Sequence, residues 1–160
     1  MTTQKSIFHP VLQVEIPDMD SGFARCCHMI EPVEIYDKVL GMLKHVINAN
    51  KQSGGKARKV PLEDEGMKPT ITSVVTSIEA LMNLGFVFDK EETTLVLPEG
   101  KSIDADACMA ELETAYNWYQ QVYGPPSGDP RNPEKVKNLV DKNVQFLKRA
   151  QAYHNKMADY

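Results

Sequence analysis

Apolar positions recur at helical spacing through Thr70–Gly85: Ile71, Val74, Val75, Ile78, Leu81 and Met82 fall at i, i+3, i+4, i+7, i+10 and i+11. That pattern predicts a single amphipathic helix with one buried face. Gly85 stands where a helix ends on a left-handed residue, and Phe86 follows at the position from which a side chain packs back on Leu81, as in a Schellman ending. The period then changes from 3.6 to 2. Phe86 and Phe88 alternate with Val87, the polar Asp89 to Glu92 form a turn, and Thr93 to Leu97 resume a β-rich run closed by Pro98, which together predict a β-hairpin.

Upstream, Tyr36, Val39, Leu40, Leu43, Val46 and Ile47 trace the buried stripe of another helix, with Pro32 at its first position and Glu34 and Asp37 at the positive end of its dipole. Asn48 to Lys59 breaks that pattern at Ser53-Gly54-Gly55. It carries Lys51, Lys56, Arg58 and Lys59 with no acid before Glu63, a basic loop running into a short strand near Arg58 to Leu62. Earlier still, Asp18 or Asp20 caps a short helix bearing Phe23, Cys26, Cys27 and Ile30. Ile7 to Ile16, interrupted by Pro10, reads as an extended segment lying on the domain or as an edge strand.

Downstream of the hairpin, Ser102 caps a helix with Asp104 and Asp106 in its first turn. Its buried face is Cys108, Leu112, Ala115, Tyr116, Tyr119 and Val122, while Trp118 and Tyr123 fall off that stripe. Gly124 to Asn132 holds three prolines and two glycines in nine residues and reads as a linker. Asn132 and Pro133 then open a final helix, with Val136, Leu139, Val140, Asn143, Leu147, Ala150 and Tyr153 along one side. The fold class expected is α+β, mainly helical, with a small three-stranded sheet and a C-terminal helix. Its parts are an extension over 1–30, a domain over 31–123, the linker 124–132 and the helical segment 133–160.

The chain has 160 residues, of which 42% are hydrophobic and 25% charged, which suits one domain with an appendage. A formal charge of −4 argues against nucleic acid as a partner of the whole chain. Three cysteines, two of them adjacent, do not make an extracellular disulfide framework, and no run approaches the length of a membrane span. A soluble cytoplasmic or nuclear protein, monomeric and without a membrane partner, is expected.

Candidate chemistry is sparse. Cys26-Cys27-His28 lacks the two-residue spacing that lets both thiolates reach one zinc. His9, His45 and His154 are isolated from one another, and no nucleophile turn lies near them. Ser53-Gly54-Gly55-Lys56 leads into a strand, whereas a phosphate loop opens a helix. No cofactor, no metal and no enzymatic activity are expected. The basic cluster Lys51 to Lys59 is either a solvated face or a landing site for an acidic peptide.

The order helix, basic loop, strand, helix, Leu-Gly-Phe, hairpin, helix resembles the PUB (PUG) domain of peptide:N-glycanases, some UBX-domain adaptors and the linear-ubiquitin ligase. The residues that carry the likeness are Lys56-Ala57-Arg58-Lys59-Val60-Pro61-Leu62, Ala80-Leu81-Met82-Asn83-Leu84-Gly85-Phe86 and Thr94-Leu95-Val96-Leu97-Pro98. It covers about Glu31 to Tyr123. The resemblance implies an adaptor module of the ubiquitin and protein quality-control system that binds the acidic C-terminal tail of the valosin-containing AAA ATPase, or a related tail.

The peptide-binding residues it implies are Asn48, Lys51, Lys56, Ala57, Arg58, Asp64 and Met67, in a single groove beside Asn48 and Met67. The family's helix asparagine falls at Ile47 or Asn48. Ala57 stands where the family has a tyrosine and Asp64 where it has an asparagine, so a divergent member taking a different or weaker tail is implied. The alternatives are a scaffold of the same fold that oligomerises through its terminal segments, and a small thiol enzyme using Cys26 or Cys27.

Overall fold

The computed structural model describes residues 6–9, 14–17, 21–89 and 93–158. Strands β1 (Ser6–His9) and β2 (Val14–Pro17) pair antiparallel as a two-stranded ribbon. Helix α1 (Gly22–Cys27) follows, then a 3₁₀ turn (Val33–Ile35) leading into α2 (Tyr36–Gln52). Strand β3 (Lys59–Pro61), a π-helical turn (Lys68–Thr72), α3 (Val75–Asn83), β4 (Val87–Phe88), β5 (Thr94–Val96), α4 (Ala105–Tyr123) and α5 (Pro133–Ala158) complete the chain. The expected class holds: the fold is mainly helical, with an antiparallel sheet in the order β3-β5-β4 and a long C-terminal helix.

The core gathers the buried faces of α1 to α4 and the inner face of the sheet. Phe23, Ile30, Leu43, Ile47, Val60, Ile78, Phe86, Leu95 and Leu112 are all buried within it. At the end of α3 the backbone closes as its sequence dictates. Phe86 N–H donates to Leu81 O at 3.3 Å, Gly85 N–H donates to Met82 O at 3.0 Å, and Gly85 takes φ +112°, a value that favours glycine. Phe86 and Leu81 are both buried there.

The first half of the same stretch departs from the expected single helix. Met67 O accepts from the N–H groups of Thr70, Ile71 and Thr72, and Ser73 N–H reaches back five residues to Lys68 O, so the turn is widened. Val74 is extended at φ −116° and ψ 98° before α3 begins. Hydroxyl groups explain the break. Thr72 Oγ1 donates to Leu62 O, Ser73 Oγ to Pro69 O at 3.0 Å, and Ser77 Oγ to Ile71 O at 2.7 Å and Val74 O at 2.6 Å. The Ser73 and Ser77 hydroxyls bond carbonyls that a regular helix would use, the Thr72 hydroxyl ties the turn to Leu62, and the β-branched run around them gains little from helical backbone.

Three caps also differ from expectation. Ser21 caps α1, its Oγ accepting from Ala24 N–H at 3.2 Å and donating to Glu111 on α4, while Asp18 and Asp20, the expected caps, lie outside the described residues. Pro32 lies in extended backbone ahead of the 3₁₀ turn rather than at the first position of α2. Asp104, not Ser102, caps α4, its carboxylate accepting from Ala107 N–H at 3.1 Å. Asn132 caps α5 as expected, accepting from Lys135 N–H at 2.8 Å.

Helix α4 buries Cys108, Leu112, Ala115 and Tyr119, but Tyr116 and Val122, expected inside, are 37% and 43% exposed. Tyr119 is the pin of this region. Its hydroxyl donates to Cys27 O and accepts from Ile30 N–H, both at 2.9 Å, and its ring stacks on Tyr36 at 4.8 Å. Trp118 and Tyr123, off the expected stripe, pack around Tyr119 and His28.

The linker is held at several points. Gly124 O accepts from the Tyr36 hydroxyl, Gly128 N–H donates to Glu34 O, and the Arg131 guanidinium bonds Asp129, Pro69 O and Ser73 O. Helix α5 then lies on the π-turn and β4, burying Val140, Asn143, Val144 and Leu147, whereas Ala150 and Tyr153 of the expected inner side face solvent.

Candidate functional site

Helix α2 presents a solvent ridge with a groove on each side. The buried stripe of α2 leaves two sets of side chains flanking that ridge: Lys38, Met42 and His45 on one side, Asp37, Lys44 and Asn48 on the other. Gly41 lines both grooves, and a Cβ there would meet no atom within 4 Å.

The first groove, ≈ 540 Å³, lies between α2 and the π-turn and is lined by Lys38, Gly41, Met42, His45, Asp64, Met67 and Thr70. Its shape follows from the widened turn. The Met67 carbonyl collects three N–H groups of the widened turn, and the Met67 side chain is buried where the turn faces α2. One Asp64 carboxylate oxygen accepts from Gly66 N–H at 3.0 Å, and Thr70 Oγ1 donates to Gly66 O at 2.9 Å, so the polar rim is fixed by short local bonds. Two methionines and a glycine give an adaptable apolar slot, with Lys38 and His45 beside it.

The second groove, ≈ 850 Å³, runs between α2 and α4. Leu40, Met109, Leu112 and Tyr116 line it beside the acids Asp37, Asp106 and Glu113 and the amine of Lys44. Lys51 bridges to Asp106 at 2.7 Å where the two helices meet, and this bond draws the Asp106 carboxyl below its usual range.

The residues expected to form one peptide site are therefore divided. Asp64 and Met67 come together in the first groove. Asn48 lines the second, and Lys51 is paired across it, so the expected single groove beside Asn48 and Met67 is two grooves that share Gly41. Arg58 is not presented to a partner. Its guanidinium donates to the carbonyls of Gly55, Leu97, Pro98 and Lys101, which uses four of its five N–H groups to lock the basic loop onto the end of β5.

Lys56 and Ala57 are exposed on that loop. Ala57 gives its N–H to Ser53 Oγ at 2.8 Å and its carbonyl to the buried Asn50 amide at 2.9 Å. Lys38, Met42 and His45, absent from the expected set, line the first groove, and their spacing of i, i+4 and i+7 beside the buried stripe of α2 is the signal in the chain that groups them.

The thiols are poorly suited to nucleophilic work. Burial, with a smaller push from Glu79, raises Cys26 to about 11, and burial with Glu111 and Asp104 raises Cys108 to about 11. Cys27 is pushed well up by burial. All three are held protonated at neutral pH, the opposite of an activated cysteine. His28 is buried, donates from Nδ1 to Ala24 O at 2.8 Å and finds no partner for Nε2 among the described residues; burial lowers its pKa. Among the described residues no group of three or more His, Cys, Asp or Glu side chains is placed to hold a metal ion, and no helix is long and apolar enough to cross a membrane. No family model matches the chain, and neither the curated proteins nor the solved structures yield a match.

Proposed function

We propose that this chain is a non-catalytic, PUB-type interaction module that takes an acidic C-terminal tail, such as that of the valosin-containing AAA ATPase, in the groove between α2 and the π-turn. The observation that carries this reading is the gathering of Met42 and Met67 beside Lys38 and His45 in one slot, with the Asp64 carboxylate on its rim as the one group whose charge opposes an acidic tail. Apolar side chains of the tail would sit against Met42 and Met67, and its acidic groups would meet Lys38 and His45.

A fluorescence-anisotropy titration with the C-terminal peptide of that ATPase, at low and at physiological salt, tests the reading. Micromolar binding that weakens with salt is expected, reduced about tenfold by Lys38→Glu with His45→Glu, both surface changes on α2. No binding up to millimolar peptide, or binding indifferent to the double variant, would retire it.

A further inference from the structure

Helix α5 carries a second stripe that the fold leaves uncovered. Lys135, Leu139, Lys142, Phe146, Arg149, Tyr153 and Lys156 follow one another at alternating steps of four and three residues, and so share one face of the helix. The four cations are exposed, Phe146 is 61% and Tyr153 68% exposed, and Leu139 is half-buried. None of the four cations forms an ion pair with a described residue. The acids of α5, Glu134 and Asp141, lie off this stripe. The result is a seam about 32 Å long in which a cation alternates with an apolar side chain every half-heptad.

We propose that this seam docks an acidic amphipathic helix of a partner protein, paired with α5 as in a coiled coil. The partner would present carboxylates opposite Lys135, Lys142, Arg149 and Lys156, and apolar side chains opposite Leu139, Phe146 and Tyr153. The repeat of 3.5 residues selects a helix, because it keeps the seam facing a second helix along its whole length. A lipid surface is a poorer fit. An interfacial helix needs a continuous apolar face with cations to its sides, and here each large apolar residue is bracketed along the same line by cations. Charge also argues against a second copy of α5, since a parallel pair would set Lys142 on Lys142 and Arg149 on Arg149.

The test uses the full chain and a labelled synthetic peptide of about four heptads, with Leu at every d and Glu at every a position so that an antiparallel pair sets Glu opposite each cation of α5, beside a twin with Lys replacing Glu. The acidic peptide is expected to bind in the micromolar range and the twin not to bind. Phe146→Ser should weaken the acidic peptide about tenfold, and Lys142→Glu with Arg149→Glu should abolish its binding and admit the twin. All three positions are exposed, so the unfolding midpoint checks that the fold is kept.

The proposal is overturned if the acidic peptide fails to bind at millimolar concentration, or if charge reversal leaves binding unchanged. It is equally overturned if the wild-type chain associates more tightly with phosphatidylserine vesicles or single-stranded DNA than with the peptide. A light-scattering mass that doubles with concentration and reverts in Phe146→Ser would assign the seam to self-association and overturn it too. Lys38→Glu with His45→Glu, which reports on the tail groove of α2, is expected to leave this binding untouched.

Discussion

The two faces of α5 obey different rules although they run at almost the same spacing along one helix. Inside lie Val140, Asn143, Val144, Leu147 and Gln151; outside lie Lys135, Leu139, Lys142, Phe146, Arg149, Tyr153 and Lys156. The two polar residues of this inner stripe are neutral amides, and each meets backbone, while Lys148 at its edge lies over the Phe88 ring. Asn143 Nδ2 donates to the carbonyl of the buried Thr72 at 3.0 Å, and Gln151 accepts from Phe88 N–H at 2.8 Å while donating back to Phe88 O at 3.4 Å. The polar residues of the outer face are all cations, free in water. An amide can be buried at small net cost once hydrogen-bonded, whereas an unpaired ammonium cannot. Between these two stripes, polarity alone therefore does not tell the covered side from the open one, but the hydrogen bonds to backbone made by Asn143 and Gln151 do.

Gln151 also shows what the inner face achieves beyond apolar burial. Strand β4 is an edge of the sheet, and an open edge invites pairing with another chain. The Gln151 carboxamide bonds both backbone groups of Phe88 and so occupies part of that edge. Lys148, one turn before it, lies over the Phe88 ring at 6.0 Å. Helix α5 thus closes the sheet with one face while leaving the other for a partner.

Removing inner contacts gives the largest effects. Leu147→Ala takes a buried side chain from the contact between α5 and the domain, and should lower stability by about 2–4 kcal/mol in urea unfolding at neutral pH. A loss below about 0.5 kcal/mol, the range of ordinary surface substitutions, would mean that α5 is not part of the cooperative unit. Asn143→Ala should cost about 1–3 kcal/mol, because it strands the Thr72 carbonyl at the end of the π-turn. Hydrogen exchange would locate this loss: amides of the π-turn and the start of α3 should exchange faster, with those at the Leu81–Phe86 ending little changed.

What was readable in the chain depended on how local its determinants are. The ending of α3 was legible because all its parts, from Leu81 to Phe86, lie within six residues. The break at Ser73–Val74 was not, because it rests on which carbonyls the hydroxyls of Thr72, Ser73 and Ser77 find, one of them Leu62, brought near only by the tertiary fold. The same holds for the candidate groove. Asp64 and Met67 could be chosen from the loop they share. Asn48 of α2 lines the other groove, because which side of the ridge meets the loop is set by how α2 packs against it. Arg58 was readable as a cation but not as a lock, since its acceptors at Leu97, Pro98 and Lys101 lie about forty residues away.

The smallest effect is the one that separates the two faces of α5 most sharply. Phe146→Ser with Tyr153→Ser removes two large aromatic side chains, a change that would cost several kcal/mol in a core. On the outer face both rings already contact water, at 61% and 68% exposure, so the folded and unfolded states lose nearly the same hydration. Stability should therefore stay within about 0.5 kcal/mol of the wild type in the urea unfolding used for Leu147→Ala, with an unchanged denaturant slope. A loss of more than about 1 kcal/mol would mean that these rings are covered within the chain in solution, and the outer face would then be an internal contact. If stability holds and the acidic helix no longer binds, the outer face contributes to recognition and the inner face to folding.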